Sequence, residues 1–132
     1  MARFYGIDEA NARLDEVRPL LERLRADRDD LAQTQAQLLK ARRANGGPEH
    51  AEDVARMEAA IREIVRRMKK DVLQIERWGI TLRDISSGLV DFAALANGRP
   101  IWLCWRLGED TIDWWHEVDT GFDQRKPLAD LS

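Results

Sequence analysis

The sequence predicts an α+β protein in which a long antiparallel helical hairpin precedes a small antiparallel β-sheet of three or four strands. Residues 1–77 carry 16 Lys+Arg and 15 Asp+Glu and no tryptophan, a composition typical of helices. Their apolar residues recur in steps of three and four. Residues 78–132 contain all five tryptophans and a glycine about every ten residues, which is typical of short strands joined by turns. We therefore divide the chain into a helical hairpin at 1–78 and a Trp-rich β module with a C-terminal tail at 79–132.

The first helix is predicted from a coiled-coil-like seam that ends at a Gly/Pro loop. The seam consists of Leu14, Val17, Leu21, Leu24, Arg28, Leu31, Gln35 and Leu38. Pro19 lies inside this seam and predicts a kink, or a break between a short helix and a long one. The run Asn45-Gly46-Gly47-Pro48 is expected to stop the helix.

The second helix is predicted from a seam that is wider than one partner helix requires. Its residues are Val54, Met57, Ile61, Ile64, Val65, Met68, Val72, Ile75 and Trp78. The extra width predicts a homodimer formed through the helices. The basic run 66–70 would face the acidic residues 27–30 of the first helix, so charge matching between the helices is expected there rather than binding to nucleic acid.

Three strands are predicted in the second half, with residues 80–85 as a further candidate. They are Leu89–Leu95, Arg99–Leu107 and Ile112–Val118. Asn97-Gly98 is a strong two-residue hairpin signal, and a turn there pairs Phe92 with Leu103.

The second hairpin is predicted to turn at residues 108–111. A four-residue loop opposes Trp105 to Trp114 and places the apolar residues of both hairpins on one face. In this register Arg106 lies across from Asp113. A three-residue loop would instead oppose Trp105 to Asp113, and the four-residue register is preferred because a one-residue slip moves every side chain to the other face.

The opposite face of the sheet is the predicted ligand or partner face. With one residue of the tail, it consists of Asp91, Trp102, Cys104, Arg106, Asp113, Trp115, Glu117 and Arg125. If exposed to solvent, the indoles of Trp102 and Trp115 would form an unusual apolar patch. We expect the tail to fold back over them so that Arg125 reaches Asp91 or Glu117, and the alternative is a protein partner at this Trp-bearing face.

The same register argues against a metal or catalytic centre. It points Cys104 and His116 to opposite faces, so neither a metal site nor a cofactor is predicted. The acidic neighbour Asp91 is expected to raise the pKa of the Cys104 thiol, which disfavours a nucleophile. No phosphate-binding loop or Ser/His/Asp order is present, and no catalytic residue is assigned. Glu109 and His116 form the alternative polar site.

Several short motifs together resemble a bacterial family of uncharacterised short proteins that carries a domain-of-unknown-function label. They are Asp8-Glu9-Ala10-Asn11, Val17-Arg18-Pro19-Leu20, Gly88-Leu89-Val90-Asp91-Phe92, Leu103-Cys104-Trp105, Gly108-Glu109, Trp115-His116-Glu117, Gly121-Phe122, Arg125 and Pro127-Leu128. Some members are described as division-initiation or cell-division-like proteins. The resemblance implies a helical hairpin with a β-rich tail and no established activity.

Composition narrows the function classes. The net charge of −3 is too small to favour nucleic acid, and no apolar run approaches the roughly 20 residues of a membrane span. We expect a cytoplasmic protein. The favoured function is a non-enzymatic assembly or adaptor protein that self-associates through the hairpin. The alternative is a small-ligand or metal-dependent enzyme whose site on the β module uses Asp91, Arg106, Glu109, His116 and Arg125.

Overall fold

The computed structural model describes residues 3–44 and 46–131, and it confirms the α+β class and the hairpin that precedes an antiparallel sheet. The helices are α1, Ile7–Arg43, and α2, Pro48–Arg77. The strands are β1, Ile80–Asp84; β2, Leu89–Ala96; β3, Arg99–Arg106; β4, Trp114–Glu117; and β5, Lys126–Pro127. Neighbouring strands pair in sequence order, so the candidate strand near residues 80–85 is present and the tail adds a fifth, two-residue strand.

Helix α1 runs unbroken through Pro19, so the break between a short helix and a long one is excluded, and the predicted kink stays a prediction. Proline supplies no N–H, and the carbonyl of Asp15 loses its helical donor there. The adjacent Leu20 and Leu21 are buried, and their packing holds the helix together across this gap. Of the predicted stop signal, Asn45 lies outside the described residues, and Pro48 is the first residue of α2, where its fixed φ suits a helix start.

One hydrophobic core joins the sheet to the near end of the hairpin. Its buried members are Tyr5, Ala10, Leu14, Val17, Leu20, Leu21, Leu24, Ile75, Ile80, Val90, Phe92, Ala94, Ile101, Leu103, Trp105, Ile112 and Trp115. The core therefore crosses the predicted boundary at residue 78. Whether the two parts fold separately stays a prediction. No helix among the described residues combines the length and hydropathy needed to cross a bilayer.

Cross-helix ion pairs join the basic and acidic runs of the hairpin. Arg67 contacts Asp27 at 3.0 Å, and Arg23 donates two hydrogen bonds to Asp71 at 2.9 and 2.8 Å. Both carboxylates are buried while both guanidinium groups remain partly exposed. Arg67 of the basic run thus pairs with the facing acidic run, as the sequence predicts, whereas Arg66 pairs with Glu63 of its own helix. The Arg23–Asp71 pair lies outside both runs.

The first hairpin of the sheet has the predicted register, and the second does not. Phe92 pairs with Leu103, as expected. However, Leu103 pairs with Trp115, and Cys104 pairs with Trp114, so the four-residue register is wrong by one residue. The observed register is the one that a three-residue loop would give.

The shift arises in residues 107–113, where a turn at Leu107-Gly108 is followed by an irregular segment instead of directly by β4. This segment lies against α1, where the N–H of Ile112 donates to Asn11 Oδ1 at 2.8 Å and Arg18 donates to the carbonyl of Asp110 at 3.1 Å. Ile112 therefore reaches the core from outside the strand, and it does not have to share the alternation of β4. The shift turns Trp115 into the core and His116 onto the outer face.

Candidate functional site

Asp91, Cys104 and His116 meet on the outer face of the sheet, and we call them the outer-face triad. They come from the neighbouring strands β2, β3 and β4, and all three are buried. Asp91 pairs directly with Cys104, while His116 pairs with Trp102 and lies diagonal to Cys104. One potential ligand atom from each side chain lies within 4.8 Å of the other two. The expectation that Cys104 and His116 point to opposite faces is therefore wrong.

The hydrogen bonds of His116 determine which ring nitrogen carries a proton. Nδ1 lies 2.8 Å from the carbonyl oxygen of Glu117, which can only accept, so Nδ1 must donate. Nε2 lies 3.0 Å from Asp91 Oδ2. Towards that carboxylate, the ring presents either an N–H or, in the neutral ring, a lone pair, which a proton or a metal ion between the two atoms would satisfy. Histidines that bind metals usually donate their other ring N–H in this way, often to a backbone carbonyl.

Only one of the two carboxylate oxygens of Asp91 has a hydrogen-bond partner among the described residues. Its Oδ2 accepts a hydrogen bond from Arg83 Nε at 2.8 Å and faces His116. Its Oδ1 is buried and has no hydrogen-bond partner in the described part of the chain. The residue is 2% exposed, so bulk solvent does not reach this oxygen directly. A buried carboxylate oxygen without a protein partner is costly, so this position favours an ordered water or a bound ligand.

Cys104 does not have the environment of a catalytic nucleophile. Burial, and next the negative charge of Asp91, raise the pKa of its thiol from 9.0 to about 12; a hydrogen bond to Asp91 adds to the shift, and Arg125 opposes part of it. Both ring nitrogens of His116 are already engaged, so no base is available to the thiol. With a pKa of about 12, the side chain is a neutral thiol at neutral pH, even with Arg125 beside it.

This shift predicts that Cys104 weakens the metal-free protein at alkaline pH. Between about pH 9 and pH 12 the thiol ionises in the unfolded chain while the folded chain keeps its proton. The unfolded state then binds fewer protons, so the free energy of unfolding falls as the pH rises. Thermal melts of the metal-free protein and of Cys104→Ala across this interval should show a smaller decline for the variant. Equal declines would contradict the prediction.

The tail brings Arg125 to the edge of the triad. Its Nη1 contacts both carboxylate oxygens of Glu109, at 3.1 and 3.0 Å, and lies 4.0 Å from Cys104 Sγ. Its guanidinium lies over the rings of Phe122 and Trp114. The tail thus folds back over this face, but Arg125 pairs with Glu109 rather than with Asp91 or Glu117.

A cavity of about 330 Å³ opens beside the triad. Besides the three triad residues, it is lined by Arg83, Leu89, Val118, Asp119, Thr120, Gly121 and Phe122. A larger depression of about 680 Å³ lies near the start of α1, and its lining holds neither histidine nor cysteine. The smaller cavity is therefore the one that adjoins chemically useful groups.

The family model described as "Uncharacterized conserved protein (DUF2203)" matches residues 3–128. The chain belongs to the DUF2203 family. No curated protein and no solved structure matches the chain. The domain-of-unknown-function part of the resemblance is confirmed, and the match carries no activity.

In this DUF2203 member, the structure separates several residues of the predicted ligand or partner face. Trp115 lies in the core, and its Nε1–H donates to the carbonyl of Pro127 at 3.2 Å. Asp113 is exposed in the loop before β4 and lies apart from Arg106, whose guanidinium lies over Phe122.

Glu117 and Trp102 each have an arginine partner. Glu117 pairs with Arg99, whose hydrogen bond holds the pKa of the carboxyl below its ordinary value. Trp102 remains on the outer face with the guanidinium of Arg83 over its ring. Glu109 and His116 do not bond to each other, so the alternative polar site is divided between two sets of partners.

Sequence reasoning missed the grouping of His116 with Asp91 and Cys104, and it missed Arg83 and Asp119. The signal for the grouping was present as the rejected three-residue register, which puts His116 on the face of Cys104. Arg83 lies two residues after Thr81, the partner of Asp91, and strand alternation places it on the same face. No sequence pattern marks Asp119, because it lies in an irregular segment.

Proposed function

We propose that this protein is a metal-dependent enzyme that binds one Zn²⁺ through Asp91, Cys104 and His116 and acts on a small polar ligand in the adjoining cavity. The unpartnered Oδ1 of Asp91, buried beside a cysteine and a histidine, carries the proposal. The proposal selects the alternative of the two function classes.

The donor set suits zinc. Thiolate sulfur, imidazole nitrogen and carboxylate oxygen are its usual ligands, and a tetrahedral ion holds them about 3.3–3.7 Å apart. The three atoms here lie within 4.8 Å of one another, so side-chain movements of about 1 Å would bring them to bonding positions. Nδ1 of His116 is already held by a backbone carbonyl, which leaves Nε2 to bind the metal.

Three protein ligands leave a fourth position open, as in catalytic rather than structural zinc sites. The cavity adjoins the triad, so this position would face the bound ligand. A zinc-bound water ionises near neutral pH and supplies a nucleophile for hydrolysis. Asp119 lines the same cavity and would accept a proton there, while Arg83 donates a hydrogen bond to Asp91. Hydrolysis of a small ester or amide is the reaction class that these groups support.

The proposal predicts one strong metal site. After chelation and dialysis, calorimetric titration should show one Zn²⁺ bound per chain. Cys104→Ser, Asp91→Asn and His116→Gln should each weaken binding by about a hundredfold, because each removes one of three ligands or its charge. His50→Gln is the matched control, since His50 lies in the first turn of α2 and outside the triad. It should bind like the unchanged protein.

Cobalt distinguishes the proposed ligands from adventitious binding. The Co²⁺ form should show a sulfur-to-metal charge-transfer band that disappears in Cys104→Ser. Circular dichroism confirms that each variant is folded before its affinity is compared. Stoichiometric Zn²⁺ binding should also support hydrolysis of p-nitrophenyl esters or amides that Cys104→Ser loses. Failure to bind zinc, or cobalt binding without the thiolate band, would overturn the metal site.

A further inference from the structure

An apolar strip on the outer side of the hairpin lies apart from the outer-face triad. It follows α2 through Val65, Met68, Val72 and Leu73, with Leu31 of α1 beside it, and it forms a shallow groove of about 530 Å³. Leu73 is 49% exposed at its centre. Lys69 and Glu76 complete the lining. This strip is the apolar surface that the wide seam of α2 leaves uncovered.

We propose that a second copy of this chain docks on this strip, with its α2 antiparallel to the first and a two-fold axis near Val72 and Leu73. The charges support a second copy as the occupant. Lys69 and Glu76 lie on either side of the proposed axis, and neither forms an ion pair within residues 3–44 and 46–131. Antiparallel packing sets Lys69 of one copy against Glu76 of the other, twice in the dimer, because a two-fold interface is self-complementary.

Other arrangements fit the charges less well. Parallel packing would set Lys69 against Lys69 and Glu76 against Glu76, which is repulsive. Other hairpin charges, such as Lys70 and Glu52, also lack an ion pair within residues 3–44 and 46–131, but they do not flank the apolar residues of the strip. The strip therefore combines exposed apolar area with unpaired charges of both signs. This inference does not rest on the zinc site, which lies on the β module.

Charge reversal tests both the partner and its direction. Sedimentation equilibrium at tens of micromolar should show a dimer for the unchanged chain. Lys69→Glu and Glu76→Lys should each weaken the homodimer about tenfold, because each sets like charges against each other twice. An equimolar mixture of the two variants should form a heterodimer in native mass spectrometry. The double variant Lys69→Glu/Glu76→Lys should recover the homodimer.

Two variants on the same helix serve as controls. Lys70→Glu and Glu52→Lys make the same charge changes outside the strip, and they should dimerise like the unchanged chain. Circular dichroism at submicromolar concentration checks that the monomers remain folded. A monomeric unchanged chain, or charge-reversed variants that do not recover on mixing, would overturn the proposal.

Discussion

Trp105→Ala should lower the free energy of unfolding by about 3–5 kcal/mol, the usual cost of removing a large buried aromatic side chain. Trp105 is fully buried on the inner face of β3, where it pairs with Val90. Its Nε1–H donates to the carbonyl of Glu109 at 3.1 Å. The substitution therefore leaves a cavity between the sheet and the hairpin, and it also removes the donor that holds the turn before β4.

Thermal or urea unfolding measures this loss. A decrease of this size corresponds to a fall in the melting temperature of about 10–20 °C for a domain of this length. Val118→Ala is the matched control, because Val118 is 57% exposed and its truncation should change stability by less than about 0.5 kcal/mol. A loss below about 1 kcal/mol for Trp105→Ala would contradict a single core shared by the sheet and the hairpin.

Arg125→Ala should lower the free energy of unfolding by about 1–3 kcal/mol. The substitution leaves Glu109 without its cation in a site where both side chains are largely covered. It also removes the guanidinium that lies 4.1 Å from the centre of the Phe122 ring and 4.9 Å from that of Trp114. Because these contacts hold the tail over the outer face, the tail should also become more accessible to proteolysis.

Two further variants separate the role of this site from that of an ordinary surface charge. Arg99→Ala breaks an exposed pair with Glu117 and should cost no more than about 1 kcal/mol. Arg125→Lys keeps the charge but loses the planar group that lies over both rings, and it should be intermediate. Should Arg125→Ala melt like Arg99→Ala, the tail would not be held in the way described.

The candidate site could be predicted from the sequence only in part. The sequence alone places Asp91 and Cys104 on one face, because the Asn97-Gly98 turn sets the register of β2 and β3 locally. His116 was placed on the wrong face because no comparable turn sets β4. Its register depends on Asn11 and Arg18, which lie about a hundred residues earlier and bind the connecting segment to α1. The spacing of residues within the strands does not reveal such long-range contacts.

The same difference between local and long-range determinants applies along the whole chain. Helical periodicity, the Gly/Pro loop and the two-residue turn are local, and they were sufficient to predict the hairpin, the strand order and the charge pairing between helices. The role of Pro19 and the position of Trp115 depend on packing between distant segments. In particular, the side chains of a strand alternate between its two faces. A loop that is longer or shorter by one residue therefore decides which side chains face the core. This one-residue difference turns Trp115 inward and brings His116 to Asp91 and Cys104. It arises because the contacts of the loop with α1 outweigh the four-residue turn that the sequence favours.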